Sequence, residues 1–413
     1  MLTACKVALF LTASSAFGQI VIERSRVPQE WQDFAPRKDE PKLKCSVSPV
    51  KPALNYSFRF QTGYVVRLPL RQYEGAAQRL FTFFRVTPED SEREPVYFLS
   101  SAQIPKAPPT KATVEFGGGY VVGEGKYRVD WVMTDESGHV CAKNWRINAK
   151  LGRKERDLPP GMAAGTVDQI SLRRWTRGSR GPNDPEGHRI TILMNAAPVM
   201  TRRLRLGGYD RVLLLSSLAS LVERLPLRSA RLVVFNLDQQ REIYRTENFE
   251  PADFSRVSRA LSELELGVVD YDVLKNRRGH VDLVTELIAE SLEQQRSDAV
   301  VFLGPKPRHL DKVQRSLLPE RSPDHPPFFY VQFRPFIVGA SYPDTLMSAV
   351  SRMKGKTYQV YSPGDFAEAI LDISKALGQT KRSASVGGPI SILAPHFTSY
   401  SVRSRSAAAG SDP

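Results

Sequence analysis

The sequence predicts a protein of two folded parts, an N-terminal all-β sandwich followed by an α/β doubly wound, mostly parallel sheet. Three observations support this fold class. A chain of 413 residues with 41% hydrophobic residues is long enough to bury two cores. Strand-like segments follow one another without helices up to about residue 150, whereas strand and helix patterns alternate after residue 187.

Residues 1–18 have the features of a secretory signal peptide, with a basic Lys6, a short apolar run and small residues suited to cleavage at Ala16 and Gly18. The alternative is a buried N-terminal strand or helix. The signal predicts a secreted or periplasmic protein. No other stretch reaches the roughly 18 apolar residues of a membrane-spanning helix, so no transmembrane anchor is expected in the mature chain. Residues 19–44 mix charges with prolines and predict a mobile leader, with Trp31 a candidate docking residue.

Two cysteines, Cys45 and Cys141, remain once the signal peptide with Cys5 is removed. In an oxidising compartment such a pair favours a disulfide. Two buried, unpaired thiols are the alternative, because sequence does not show how far apart the residues lie.

Residues 45–150 predict the sandwich. In the clearest strand, Tyr127, Val129, Trp131 and Met133 alternate with polar residues, and a turn at 135–138 leads into a returning strand, which predicts a hairpin. The strand candidates are 57–70, 79–87, 96–100, 111–116, 127–134 and 139–149.

The segment Gly123-Glu124-Gly125-Lys126-Tyr127 is similar to the corner of immunoglobulin-like sandwiches, in which a tyrosine at the start of a late strand bonds back to the preceding turn. Gly117-Gly118-Gly119 is a candidate phosphate loop by composition. A strand rather than a helix is expected after it, so a turn or bulge is the better interpretation.

Two further stretches lack a core-forming period. Residues 151–187 are rich in arginine, proline and glycine and predict a linker. Within it, Arg173, Arg174 and Trp175 either form part of a solvated tether or stack on an anionic sugar or nucleotide. Residues 378–413 are rich in serine, alanine and glycine and predict a disordered tail.

Residues 188–377 predict the α/β part, opened by a buried strand that stops at Asn195-Ala196-Ala197-Pro198, because proline cannot continue a ladder. A leucine-faced helix at 214–225 follows, and the last helix begins after Ser362. Between them lie strand candidates at 231–237, 241–246, 299–303, 328–333 and 357–361, separated by helical patterns around 254–264, 281–292 and 346–353.

This order of elements resembles a von Willebrand factor A domain, a Rossmann-like fold. The resemblance rests on four segments: Leu232-Val233-Val234-Phe235-Asn236, Glu242-Ile243-Tyr244, Ala299-Val300-Val301-Phe302-Leu303, and Lys354-Gly355-Lys356-Thr357-Tyr358-Gln359-Val360. It implies a fold commonly used to bind other proteins.

The resemblance also implies a metal-ion-dependent adhesion site with an Asp-x-Ser-x-Ser motif, a threonine and a later aspartate. Here the motif positions hold Asn195, Ala197 and Val199, the aspartate position holds Gly304, and the threonine position falls near His280 or Val281. One neutral amide does not replace the oxygen ligands that Mg²⁺ needs, so we predict a metal-free relative without cofactors. A displaced acidic site at Asp270, Asp272 and Asp282 is the alternative to ordinary helix caps and solvated charges.

The predicted function is therefore non-catalytic and exported: an adhesion or scaffold protein that binds a protein partner through the loops at 198–208 and 304–307. Its candidate partner-binding residues are Arg202, Arg203, Arg205, Asp272, His280 and Asp282.

Two other functions compete with this one. A net charge of +14, concentrated between Arg173 and Arg211 and in a tail with Lys375, Lys381, Arg382, Arg403 and Arg405, favours binding of an acidic polysaccharide or anionic surface. Export makes nucleic acid an unexpected partner. A hydrolase would use His280 with Asp272 or Asp282, but the nearest serines, Ser216 and Ser217, fall inside a predicted helix, and no nucleophile-elbow, zinc-protease or P-loop motif occurs.

Overall fold

The computed structural model describes residues 19–29, 34, 41–106, 108, 110–152, 155, 160–170, 184–267, 271–293, 297–320, 322–336 and 342–384. The predicted signal peptide, Trp31, the Arg173-Arg174-Trp175 segment and the tail from residue 385 lie outside this part of the chain.

The N-terminal part is built from antiparallel β-sheet, as the sequence predicted, and contains no α-helix among its described residues. The strands are β1 (Ile20–Ile22), β2 (Ser46–Leu54), β3 (Phe60–Pro69), β4 (Gln78–Pro88), β5 (Val96–Ile104), β6 (Thr113–Val122), β7 (Gly125–Asp135), β8 (Val140–Ala149) and β9 (Val167–Gln169). They form two sheets, with strand orders β1-β5-β4-β7-β8 and β2-β3-β6-β9.

The alternation in β7 faces the sandwich core. Tyr127, Val129, Trp131 and Met133 are all fully buried in one hydrophobic cluster, and β7 pairs with β8 in the predicted hairpin. The Tyr127 hydroxyl donates a hydrogen bond of 2.9 Å to the Gly123 carbonyl, the contact predicted for this tyrosine.

The predicted disulfide is present. Cys45 lies immediately before β2 and Cys141 lies in β8, so the bond joins the two sheets across a sequence separation of 96 residues.

Several sequence predictions for the flanks of the sandwich were wrong. Residues 20–22 of the predicted mobile leader form β1, which pairs with β5, and Phe34 is buried beneath Arg85. The predicted linker contributes β9, which pairs with β6. The three glycines at 117–119 continue β6 instead of forming a turn or bulge. A Cβ atom at Gly117 would come within 2.3 Å of the Tyr64 carbonyl oxygen, and Cβ atoms at Gly118 and Gly119 would meet the side chains of Tyr64 and Ile170.

The C-terminal part contains a six-stranded sheet, whose strands are β10 (His188–Asn195), β11 (Leu227–Asn236), β12 (Arg241–Thr246), β13 (Ala299–Pro305), β14 (Phe328–Phe333) and β15 (Lys356–Val360). Their order in the sheet is β12-β11-β10-β13-β14-β15, and of these described strands only β11 and β12 pair antiparallel. Its helices are α1 (Gly208–Arg224), α2 (Asp253–Glu263), α3 (Tyr271–Lys275), α4 (Gly279–Glu293), α5 (Thr345–Arg352) and α6 (Pro363–Ala384).

Helices cover both faces of this sheet. Ile192 of β10 belongs to a hydrophobic cluster with α1, α2 and α6, whereas its neighbour Leu193 belongs to a second cluster with α4 and α5. Helix α6 continues to Ala384, past residue 377, where the sequence placed the end of this part. None of the helices in the described ranges has the length and apolar character needed to cross a bilayer.

The two parts of the chain are in direct contact. The turn between β2 and β3 inserts Tyr56 and Phe58 into the hydrophobic cluster of α1 and α6, where Phe58 stacks on Phe366 with ring centroids 5.9 Å apart. Ser220 of α1 donates a hydrogen bond of 2.7 Å to the Tyr56 carbonyl, and the Arg224 guanidinium lies 4.2 Å from the Phe58 ring centroid. Buried aromatic contacts of this kind hold the two parts together.

Candidate binding site at the strand ends

The carboxyl ends of β10 and β13 meet where the strand order changes direction. The chain leaves β10 toward β11 on one side and later returns to β13 on the other, the position at which open α/β sheets bind ligands. Asn195 ends β10, and Gly304 of β13 lies directly beside it, as predicted. A Cβ atom at Gly304 would come within 2.5 Å of the Asn195 carbonyl oxygen. This contact excludes an aspartate at position 304 unless the backbone shifts.

The buried polar groups beside this point hold main chain in place. The Asn195 side-chain amide donates to the Pro305 carbonyl at 3.2 Å, and the Asn236 amide donates to the Ala196 carbonyl at 2.7 Å. Asp210 of α1 is also buried, and its carboxylate accepts hydrogen bonds from the amides of Val199 and Gly207. The Asp210 carboxylate therefore fixes the loop after β10 to the start of α1.

An open groove of about 570 Å³ lies next to this loop, and we call it the strand-end groove. Its chemistry combines positive charge with exposed apolar surface: Met200 and Phe336 are each 46% exposed, and the Tyr209 ring contacts Phe336 with centroids 5.7 Å apart. The lining residues are Val199, Met200, Thr201, Arg202, Lys306, Phe333, Arg334 and Phe336.

Three of these lining residues are cationic, and two of the three are sheltered. Arg334 is buried, and its backbone amide donates to the Val360 carbonyl at 2.7 Å. Burial lowers the pKa of the Lys306 ammonium, and the positive charge of Arg334 lowers it further. The charges of Lys306 and Arg334 are thus only partly hydrated, a condition that strengthens their attraction for an anion.

The three arginines that the sequence predicted to bind a partner lie in different surroundings. Arg202 lines the strand-end groove. Arg203 lies 3.7 Å from Asp210, and Arg205 lies 3.4 Å from Glu265 on the exposed surface. Of the three, only Arg202 faces the groove, and Arg203 and Arg205 form ion pairs with their neighbours.

His280, one of the candidate partner-binding residues, is buried at the start of α4, and its ring stacks on His309 with centroids 4.1 Å apart. Its Nε2 lies 2.9 Å from Asp311 rather than bonding to Asp282, whose carboxylate instead accepts from Asn276 at 3.1 Å. The side chain of Asp272 and all of Asp270 lie outside the described part of the chain.

The carboxylate of Asp238 holds the imidazole ring of His309. His309 Nε2 lies 2.9 Å from Asp238 Oδ1, to which Arg308 donates at 2.6 Å. Burial alone would raise the pKa of Asp238, but the hydrogen bonds from His309 and Arg308 outweigh it and lower the pKa to about 2. Burial lowers the pKa of His280, and the neighbouring His309 lowers it further.

Sequence reasoning missed His309, Asp311 and Asp238. Each follows the carboxyl end of a central strand, β13 for the first two and β11 for the third, and that placement was the available signal. The serines considered for hydrolysis do lie inside α1 and are buried, and their hydroxyls donate to the carbonyls of Leu213 and Leu214.

No protein-family model matches the sequence, and no curated protein matches it at a significant level. Among solved structures, the ApaA protein from Bordetella pertussis is 17% identical, and the match covers 27% of this chain and 98% of the ApaA chain, with a TM-score of 0.18. Spo0M, a sporulation control protein from Bacillus subtilis, is 15% identical over 27% of this chain and 51% of its own, with a TM-score of 0.16. A β-glucuronidase from Bacteroides uniformis is 7% identical over 75% of this chain and 38% of its own, with a TM-score of 0.18.

Proposed function

We propose that the chain is an exported, non-catalytic protein-interaction protein that binds an acidic, partly apolar segment of a partner protein in the strand-end groove. The observation that carries this proposal is the lining of the groove: Arg202, Lys306 and Arg334 beside the exposed side chains of Met200 and Phe336. Such a surface offers charge-assisted hydrogen bonds to carboxylates and apolar contacts between them.

We further infer that the C-terminal part is an A-type domain whose adhesion site has lost its metal ligands. The strand order with its antiparallel edge strand β12 supports this inference. So does the close approach of Gly304 to Asn195, which leaves no room for the aspartate that A-type sites place there. Binding in the groove then rests on arginine and lysine side chains in place of a bridging Mg²⁺ ion.

An acidic polysaccharide is the second candidate ligand, and the exposed aromatic residues Tyr209 and Phe336 at the groove favour it, because aromatic rings stack on sugars as well as on apolar side chains. The two ligands differ in salt dependence. A polyanion that contacts only charges should lose affinity steeply with salt, whereas a peptide that also buries apolar groups should lose less.

The experiment is a peptide-display selection on the wild-type protein, followed by affinity measurements with the selected peptides and with polygalacturonate at about 50 and about 200 mM salt. We expect peptides rich in Asp and Glu with an apolar residue. Arg202→Glu should weaken their binding about 10-fold to 100-fold through the loss of a charge-assisted hydrogen bond.

The matched control is Arg259→Glu, an equal change of charge at an exposed position of α2. It should leave the affinity within about threefold, the range expected from screened long-range charge alone. Equal losses in the two variants would show that net charge, and not the groove, determines binding. A rise in melting temperature on adding Mg²⁺ or Ca²⁺ would contradict the loss of the metal ligands.

A further inference from the structure

We propose that His280, His309 and Asp311 form a binding site for a divalent transition metal ion, with Zn²⁺ the best fit. The site is separate from the strand-end groove, and the proposal does not depend on the function assigned to that groove. Each of the three residues offers one ligand atom, and these atoms all lie within 4.8 Å of one another.

The donor set selects the metal. Two imidazoles and one carboxylate suit Zn²⁺, which takes nitrogen and oxygen ligands at about 2.0–2.2 Å, whereas Mg²⁺ and Ca²⁺ require oxygen ligands. Tetrahedral Zn²⁺ places its ligand atoms roughly 3.4 Å apart. On binding, the three ligand atoms must therefore come closer together, and one of the two imidazoles must turn out of its stacked orientation to direct a nitrogen at the ion. Asp311 is exposed and free to adjust, whereas His280 is buried and fixed. Three protein ligands leave the fourth coordination position open to water.

The surroundings resemble those of metal-binding histidines. Asp238 accepts a hydrogen bond from His309 Nε2, and this outer carboxylate orients the ring and leaves Nδ1 available for an ion. Arg308 balances the charge of Asp238, and Asp282 lies near enough to His280 to act on its charge.

The sequence positions explain how such a site assembles. Asp238 follows β11, His309 and Asp311 follow β13, and His280 begins α4, so three separate connections meet at one edge of the sheet. The ring of His280 also stacks on that of His309, so the two imidazoles lie side by side at this edge of the sheet.

The test uses the full chain, purified without a histidine tag, treated with a chelator and titrated with ZnCl₂ by calorimetry. Co²⁺ supplies a second readout through the visible absorption of its tetrahedral complexes. We expect one Zn²⁺ per chain, a rise in melting temperature with Zn²⁺ and no binding of Mg²⁺ at this site.

The variants locate the site. His309→Ala should lower the affinity for Zn²⁺ by about 100-fold, and Asp311→Asn and Asp238→Asn by about 10-fold or more, the last through the orientation of His309. Asp90→Asn, which neutralises a similarly exposed carboxylate in the N-terminal part, is the matched control for Asp311→Asn and should change the affinity by less than about threefold. Asp311 is exposed, so its variant should fold and decides the matter if His309→Ala does not fold.

Wild-type protein that binds less than about half an equivalent of Zn²⁺ would overturn the proposal. Wild-type affinity for Zn²⁺ in both Asp311→Asn and His309→Ala would also overturn the proposal. The ion would then be bound elsewhere, for example at others of the six histidines in the chain. A preference for Mg²⁺ over Zn²⁺ would also contradict the donor set.

Discussion

Replacing Asp344 by asparagine is expected to stabilise the protein at neutral pH. Asp344 precedes α5 and is fully buried, and its Oδ1 accepts a hydrogen bond of 2.8 Å from the Met347 amide at the start of that helix. Its Oδ2 accepts from the Gln332 amide, while Gln332 Oε1 finds no partner among the described residues. Asparagine preserves the cap, and rotation of the Gln332 amide would allow the new side-chain amide at position 344 to donate to Oε1.

The magnitude follows from the pKa of the carboxyl group. Burial raises the pKa of Asp344 from 3.8 to about 6, and the hydrogen bonds from Met347 and Gln332, with the Lys306 charge, only partly offset this rise. At about 1.36 kcal/mol per pH unit, this rise costs about 3 kcal/mol of folding free energy. The cost is absent below pH 3.8, grows as the pH rises to about 6 because only the unfolded chain releases the proton, and is complete above that pH.

Urea unfolding of the wild-type protein and Asp344→Asn at about pH 8 and about pH 3.5 measures this difference. We expect the variant to be more stable by about 1–3 kcal/mol at the higher pH and nearly equal at the lower. Asp365→Asn is the control, since Asp365 also accepts backbone amides at the start of a helix but is only half-buried. A stabilisation by Asp344→Asn that is the same at both pH values, or a destabilisation at pH 8, would refute the reasoning.

Three further changes test the packing. Tyr56→Ala should lower the free energy of unfolding by about 3 kcal/mol, because it leaves a cavity beside Phe333 and Phe366. Limited proteolysis should then cleave the chain between its two parts. Unchanged protease resistance would contradict the importance of this contact. Tyr127→Phe should cost about 1–2 kcal/mol in urea unfolding, through the loss of a buried hydrogen bond, and a smaller effect on the midpoint would show that water replaces it. Reduction of the disulfide should lower the stability by about 4–5 kcal/mol, while the double variant Cys45→Ala and Cys141→Ala should be insensitive to reductant.

The sequence predicted the elements of this fold well where a local pattern carries the information. The alternation from Tyr127 to Met133 predicted a half-buried strand with a buried tryptophan, because successive side chains of a strand point to opposite faces. The apolar run before Asn195 predicted a central strand, and its position at the switch of the sheet followed from the order of strands and helices. The sequence did not predict β1 and β9, because edge strands of three residues are too short to show a periodic pattern.

The sequence by itself therefore determined which segments are strands and helices, that a buried strand ends at Asn195, and which cysteines are available to pair. Only the tertiary structure decided which side chains meet. His280 contacts Asp311, 31 residues away, and Tyr56 packs beside Phe366. The physical reason is that periodicity indicates which side chains are buried but not which residues they contact. Contacts between distant residues depend on the strand order and on the path of the loop that follows each strand.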